Sequence, residues 1–423
     1  MGGLEARTSA RRPGGPGGPD ELRDVGRVTV DAATGLVARI QELHAAIARR
    51  SFPGSDSGSG RGTVRLLHDE ISALVYGGVR AGLRGVGVLA DVGLAVTGAG
   101  RDHRLLSRSR AGRIVIGALN GLYGDHLHAS APALAGAMSL RGATPGGRCV
   151  DLPCDAPALA AGYPRATGRI VVFVHGLCET EEWWLTGRED RVDYGARLAA
   201  DLGYTPLYLR YNSGRHISDN GVRLDELLSE LVTHWPVPVS DLALVGHSMG
   251  GLVARGAVHH GLEAERAWTR VLRHLVCLGS PHRGAPLEAA ANRAAWALRQ
   301  LPETRPLSTV LRQRSVGIKD LRFGALLEQH WADRDPDALR FDGPERVAVR
   351  TSPAGQRLIA ATITRAPTHP LGRAFGDGLV LAASARDGAE DAVTLGGLHH
   401  FDLLHHPLVY AQLRDWLNPA GRA

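Results

Sequence analysis

From residue 169 onward, short apolar runs alternate with amphipathic stretches. Ile170 to Val174 is an unbroken apolar run that stops at His175-Gly176. A run without polar alternation marks a strand buried on both faces of a parallel sheet. Pro206 to Tyr211 predicts a second strand, Leu242 to Val245 a third, Leu272 to Leu278 a fourth and Leu358 to Thr364 a fifth. Between them, Leu224, Leu227, Leu228 and Leu231 keep helical spacing, 250–260 predicts another helix, and 407–417 a closing one. Strands alternating with helices predict a doubly wound, mostly parallel α/β sheet. In such a sheet the ligand site lies beyond the carboxyl ends of the strands.

The upstream texture differs. Residues 1–27 are rich in Gly, Pro and Arg and predict a disordered tail. Leu36, Ile40, Leu43 and Ile47 predict a helix over about 30–50, and a Gly/Ser linker follows at 51–62. From about 63 to 141 the pattern predicts two or more helices, with Val64, Leu67, Ile71 and Val75 as one stripe. The expected organisation is therefore a helical N-terminal region over 28–145 and a sheet domain over 146–423. Within the latter, the excursion at 286–350 spaces Trp296, Leu298, Leu301, Leu307 and Leu311 as helices do. It is expected to form a cap over the site.

Charge and cysteine content narrow the class. The formal charge is +6, yet Lys319 is the sole lysine, and the arginines are interleaved with acids along the chain. That excludes a nucleic-acid stripe. Four cysteines in 423 residues are too few for a disulfide scaffold and read as reduced thiols. No export signal is legible. The most membrane-like segment, 81–99, carries Arg84 and Asp91, which argues against a spanning helix. A cytoplasmic protein with at most peripheral membrane contact is expected.

Gly246-His247-Ser248-Met249-Gly250 matches G-x-S-x-G and falls between a predicted strand and a predicted helix. That is where a nucleophile elbow must sit, with glycines permitting the tight turn and the serine raised at a helix N-terminus. A serine hydroxyl needs a base to take its proton. His399 and His400, in a loop before the last helix, are adjacent candidates. An acid must orient that imidazole, and Asp377, flanked by Gly376 and Gly378, is the best of several. Asp320, Asp342 and Asp391 sit in segments that read as solvated surface. The N–H of Met249 supplies one oxyanion donor, and Leu177, after the first strand, most simply supplies the second. His175 itself reads as a structural hydrogen-bonder.

From about Arg169 to the C-terminus the chain resembles the α/β-hydrolase superfamily, and within it the bacterial lipases and esterases. The likeness rests on His175-Gly176-Leu177, Gly246 to Gly251, Gly279-Ser280-Pro281-His282-Arg283-Gly284, Asp377-Gly378-Leu379-Val380 and His400-Phe401-Asp402. The GPI inositol-deacylase-like lipase branch shares this pattern. The resemblance implies Ser248 as nucleophile, Asp377 as acid and His400 as base, with Leu177 and Met249 as oxyanion donors. His400 is preferred to His399 because such lipases place an apolar residue and then an acid after the histidine. The implied activity is hydrolysis of a small-molecule ester or lipid through an acyl-enzyme. Acyl transfer on the same fold is one alternative, and a non-catalytic lipid-binding or membrane-associated protein another.

Other signals count for less. Gly85-Val86-Gly87-Val88-Leu89-Ala90 fits a dinucleotide pattern but follows no predicted strand. His399-His400 with His405-His406 lacks the partners of a zinc motif. No cofactor or metal is expected. Trp183 and Trp184, just beyond the Leu177 loop, are candidates for the substrate pocket.

Overall fold

A computed structural model describes residues 109–143, 149–185, 193–300, 305–332, 334–338, 349–351 and 355–418, with isolated helical positions between 24 and 38 and Ser107. Residues 1–23 of the expected tail, the Gly/Ser linker, most of the helices over 30–109 and the 81–99 segment lie outside the described residues, whereas Asp24, Gly26 and Arg27, expected in that tail, are helical positions. The chain divides into two compact units, one of 1–109 with 130–134, the other of 110–129 with 135–423. In the first, the Asp24 carboxylate accepts the Ala133 N–H at 2.8 Å, and Arg27 donates to the Ser130 carbonyl at 2.8 Å.

The second unit is built on eight strands. They are β1 (Ser139–Ala143), β2 (Cys149–Leu152), β3 (Arg169–Val174), β4 (Thr205–Arg210), β5 (Asp241–His247), β6 (Leu272–Leu278), β7 (Gln356–Thr362) and β8 (Val393–Gly396). Their order across the sheet is β2-β1-β4-β3-β5-β6-β7-β8. The pairings from β4 to β8 are all parallel, whereas β1 runs antiparallel to both β2 and β4. After β3 the chain forms β4 on one side and then returns to lay β5 on the other. This reversal opens a crevice beyond the carboxyl ends of β3 and β5, the place where doubly wound sheets bind ligands.

Both faces of the sheet are covered, which is why the strands read as continuous apolar runs. Ile170, Val172 and Val174 enter one core with Leu224, Leu228 and Leu231 of α4 (Ile217–His234) and Leu252 and Val253 of α5 (Met249–Glu263). Val171 and Phe173 enter the other, with Leu198 of α3 (Tyr194–Leu202) and Leu413 and Leu417 of α11 (Pro407–Leu417). The alternation of strand side chains divides one run between two cores. The β6–β7 excursion holds α6 (Pro286–Arg299), α7 (Arg305–Arg312) and α8 (Val316–Asp320). Ahead of the sheet, α1 (Arg110–Ser130) runs for 21 residues, and α2 (Ala156–Gly162) lies between β2 and β3. Two short helices, α9 (Pro370–Phe375) and α10 (Ala382–Ala385), separate β7 from β8. Among the described residues no helix is long and apolar enough to cross a membrane.

Residues 139–141, expected at the end of the helical stretch, instead belong to β1. Arg141, at its centre, hides the strand pattern. It is buried because it pairs with Asp151 and, at 2.9 Å, with Glu181.

Candidate active site

Ser248 ends β5 and opens α5 with φ 52° and ψ −124°, a strained conformation for a side-chain-bearing residue. Its neighbours leave no choice of residue. A Cβ on Gly246 would lie 2.4 Å from the Gly251 nitrogen, and one on Gly250 would lie 2.3 Å from the Val174 carbonyl oxygen. The backbone of the elbow is packed directly on the end of β3, so larger residues are excluded and the serine is forced up.

Asp377 follows β7 and is buried. Its Oδ1 accepts the N–H groups of Leu379 (3.0 Å) and Val380 (2.8 Å). That leaves Oδ2 for His400, whose Nδ1–H donates to it at 2.7 Å. The His400 N–H also donates to the Asp377 carbonyl at 3.0 Å. One aspartate thus holds both the ring and the backbone of the histidine. The neighbouring histidines have separate duties. His399 donates its N–H to Asp402, and His406 accepts the Leu408 N–H at the start of α11. Gly279, after β6, adjoins both members of the couple. A Cβ there would lie 3.3 Å from Asp377 Oδ2 and 3.3 Å from His400 Cε1.

The loop after β3 is tied down by its own amides. Gly176 N–H donates to Glu179 Oε2 at 2.7 Å, Glu179 N–H to the Gly176 carbonyl at 3.3 Å, and Cys178 N–H to Ser213 Oγ at 3.2 Å. Of these four consecutive residues, Leu177 alone has an amide with no partner among the described residues. Met249 is the first residue of α5, where an N–H has no intrahelical acceptor. A Cβ on Gly176 would lie 3.1 Å from Ser248 Cβ, so this loop runs against the elbow. His175 is fully buried, with Nδ1–H on the Gly176 carbonyl (2.9 Å) and Nε2 accepting the Tyr211 N–H (3.4 Å). Burial depresses its pKa, and both nitrogens are spent on structure.

Three buried acids follow that sequence reading missed. Glu179 pairs with His247 at 2.8 Å, Glu181 with Arg141 and Arg210, and Glu182 with Arg113 at 2.6 Å. The run Glu179-Thr180-Glu181-Glu182 looks like a solvated turn. The one available hint was its position between a buried strand and two tryptophans. Arg113 belongs to α1, whose Gly117 and Gly121 face the same loop. A Cβ on Gly121 would lie 2.3 Å from Cys178 Sγ. Helix and loop are therefore in backbone contact.

The two tryptophans part company. Trp183 stacks on Phe401, the residue after His400, with ring centroids 5.3 Å apart. Trp184, expected at the substrate pocket, is buried in the core against Phe173 at 4.9 Å. It is the residue that follows the 3-10 turn Glu181–Trp183, where its N–H closes on the Glu181 carbonyl. Asp320, expected at the surface, is also buried. It accepts from Ile217 N–H at 2.9 Å and faces His216 Nδ1 at 3.1 Å. Its pKa is raised because burial outweighs the His216 contact. Among the described residues, His259, His260 and Glu263 lie close enough together to share a metal. The Arg350 N–H donates to His259 Nδ1, which leaves the proton of a neutral ring on Nε2, the nitrogen turned to Glu263.

Residues 165–300 match the family model of the PGAP1-like alpha/beta domain. The sheet domain has the α/β-hydrolase fold. The matched segment carries Ser248 and the β3 loop but ends before Asp377 and His400. Among solved structures, the chain is similar to the lipase BlEst2 of Bacillus licheniformis in its mature form. Identity is 19%, over 59% of this chain and 92% of that one, with a TM-score of 0.39. The propeptide form of the same lipase gives 18% identity over 66% of this chain and 53% of that one, with a TM-score of 0.43. The RedJ thioesterase of the prodiginine pathway in Streptomyces coelicolor gives 21% identity over 60% and 92%, with a TM-score of 0.33. No curated protein sequence matches the chain.

Proposed function

We propose that this protein hydrolyses a carboxylic ester through an acyl-enzyme on Ser248. The observation that carries the reading is the strained Ser248 at the β5–α5 junction, in a fold whose β7 and β8 loops supply a buried Asp377–His400 couple at 2.7 Å. Asp377 fixes the proton of His400 on Nδ1, so Nε2 is the basic nitrogen. It takes the Ser248 proton as Oγ attacks the carbonyl carbon. The N–H groups of Leu177 and Met249 hold the oxyanion. Collapse expels the alcohol, protonated by His400, and a water activated by the same ring releases the acid. The substrate class is a small-molecule ester or lipid, with Trp183 beside the base as a wall of its pocket. The compartment we propose is the cytoplasm, in keeping with four free cysteines.

The test is labelling with a fluorophosphonate, on wild type and Ser248→Ala together. Wild type alone should react, and a nitrophenyl-ester series then sorts short-chain from long-chain preference. Equal labelling or equal turnover of the two proteins would sink the assignment.

A further inference from the structure

His247, the residue before the candidate nucleophile, is fully buried and has both ring nitrogens turned to oxygen atoms. Nδ1 lies 2.8 Å from Glu179 Oε1, and Nε2 lies 3.1 Å from the His400 carbonyl oxygen. The carbonyl cannot donate, and the Glu179 carboxyl, whose pKa is lowered despite burial by His247 and by the Gly176 N–H on Oε2, stands as the ionised form. A neutral imidazole carries one proton and would face one of these oxygens with a lone pair. Only the doubly protonated ring suits both contacts. The Nδ1–H is not aimed along its contact, so that interaction is an ion pair rather than a linear hydrogen bond.

The pair also joins three segments that are far apart in sequence. Glu179 Oε2 accepts the Gly176 N–H at 2.7 Å, so it holds the loop that carries Leu177. His247 is covalently next to Ser248. Its Nε2–H holds the backbone of His400, whose ring centroid is 4.7 Å away. We propose that His247 is a standing imidazolium that positions the His400 backbone and, through Glu179, the Leu177 loop. We infer further that turnover fails at high pH when this proton is lost. The inference rests on the hydrolase reading of Ser248 and His400. His247 is a positioning residue, since it acts through the His400 backbone and Glu179.

The charged groups around it come from every side. Glu179 approaches from the β3 loop, Asp377 from the β7 loop and His400 from the β8 loop, while His175 faces Glu179 from the end of β3. Burial alone would lower the His247 pKa, but the Glu179 carboxylate overrides it and the net direction is upward. Burial would raise that of Glu179, and His247 reverses it. A raised histidine pKa means the proton is lost at higher pH than from an ordinary histidine. Removing the Glu179 charge must bring that loss to lower pH.

The experiment uses the full chain, 15N-labelled at histidine and titrated from about pH 6 to about pH 9. One imidazole should keep both ring protons after the ordinary histidines have lost theirs. In Glu179→Gln, where burial is no longer offset by that carboxylate, the signal should lose its second proton at markedly lower pH than in wild type. The alkaline limb of kcat should shift to lower pH, with kcat down about tenfold near pH 8 and KM within about twofold. Finding no imidazole doubly protonated above neutrality overturns the proposal, and so does an alkaline limb indifferent to Glu179→Gln. Should the variant not fold, the wild-type titration decides alone. Failure of Ser248 to react with a fluorophosphonate overturns the hydrolase reading, and the positioning role with it. A reactive Ser248 without the doubly protonated ring overturns this inference only.

Discussion

Asp377→Asn removes one charge and almost no shape, and the hydrogen bonds of Asp377 dictate how the amide must sit. Two backbone N–H groups, of Leu379 and Val380, converge on Oδ1. Only the carbonyl oxygen of an asparagine can accept them, so its NH2 must take the place of Oδ2, 2.7 Å from His400 Nδ1. An NH2 donates, so Nδ1 must then accept and the imidazole proton must move to Nε2. That nitrogen can no longer take a proton from Ser248. In triads of this type the wrong tautomer costs about 10⁴ in kcat, or about 5 kcal/mol of transition-state stabilisation. Folding should change by no more than about 1 kcal/mol, because each hydrogen bond is kept in some form. Steady-state kcat and KM on a nitrophenyl ester, with thermal unfolding of both proteins, test this. A kcat loss under about tenfold would refute the tautomer argument, as would a loss that simply follows a fall in Tm.

Ser248→Gly should abolish turnover yet raise thermal stability. Relief of the φ 52° strain outweighs the entropy cost of glycine by about 1 kcal/mol, and an unchanged or lower Tm would show that the elbow is not strained. Arg113→Ala should destabilise by about 3 kcal/mol, because among the described residues Glu182 would keep only Arg110, at 3.5 Å, as a cationic partner. Denaturant unfolding checks this, and Arg113→Met with Glu182→Gln should recover most of the loss.

The central strands were legible because they are buried on both faces, and such burial leaves runs like Ile170 to Val174 that few other structures produce. The Ser248 elbow was legible for a related reason, since backbone packed on backbone admits only glycine. Strands β1, β2 and β8 left no such mark. Arg141 stands in the middle of β1, and Val393 to Gly396 is too short to show a period. The buried acids were hidden by the same physics. A carboxylate inside a protein looks in sequence like one on its surface, and only its partner reveals it. The partners of Glu181 and Glu182 include Arg141 and Arg113, about 40 and 70 positions upstream. Asp320 was misread for want of seeing His216 and the start of α4 beside it.

The buried arginine–glutamate pairs bear on how this module can be cut and moved. The stretch recognisable by family, 165–300, retains Glu181 and Glu182 but loses Arg110, Arg113 and Arg141. Excised at that border, the fragment would carry two interior anions stripped of three counter-charges. It would also lose the α1 glycines that pack against Cys178 and Thr180. The border drawn by likeness and the border drawn by charge neutrality are therefore different. A transplantable unit begins at the arginines of α1, and grafting, truncation or domain exchange that respects only the family-matched segment would leave the loop beside Ser248 without its foundation.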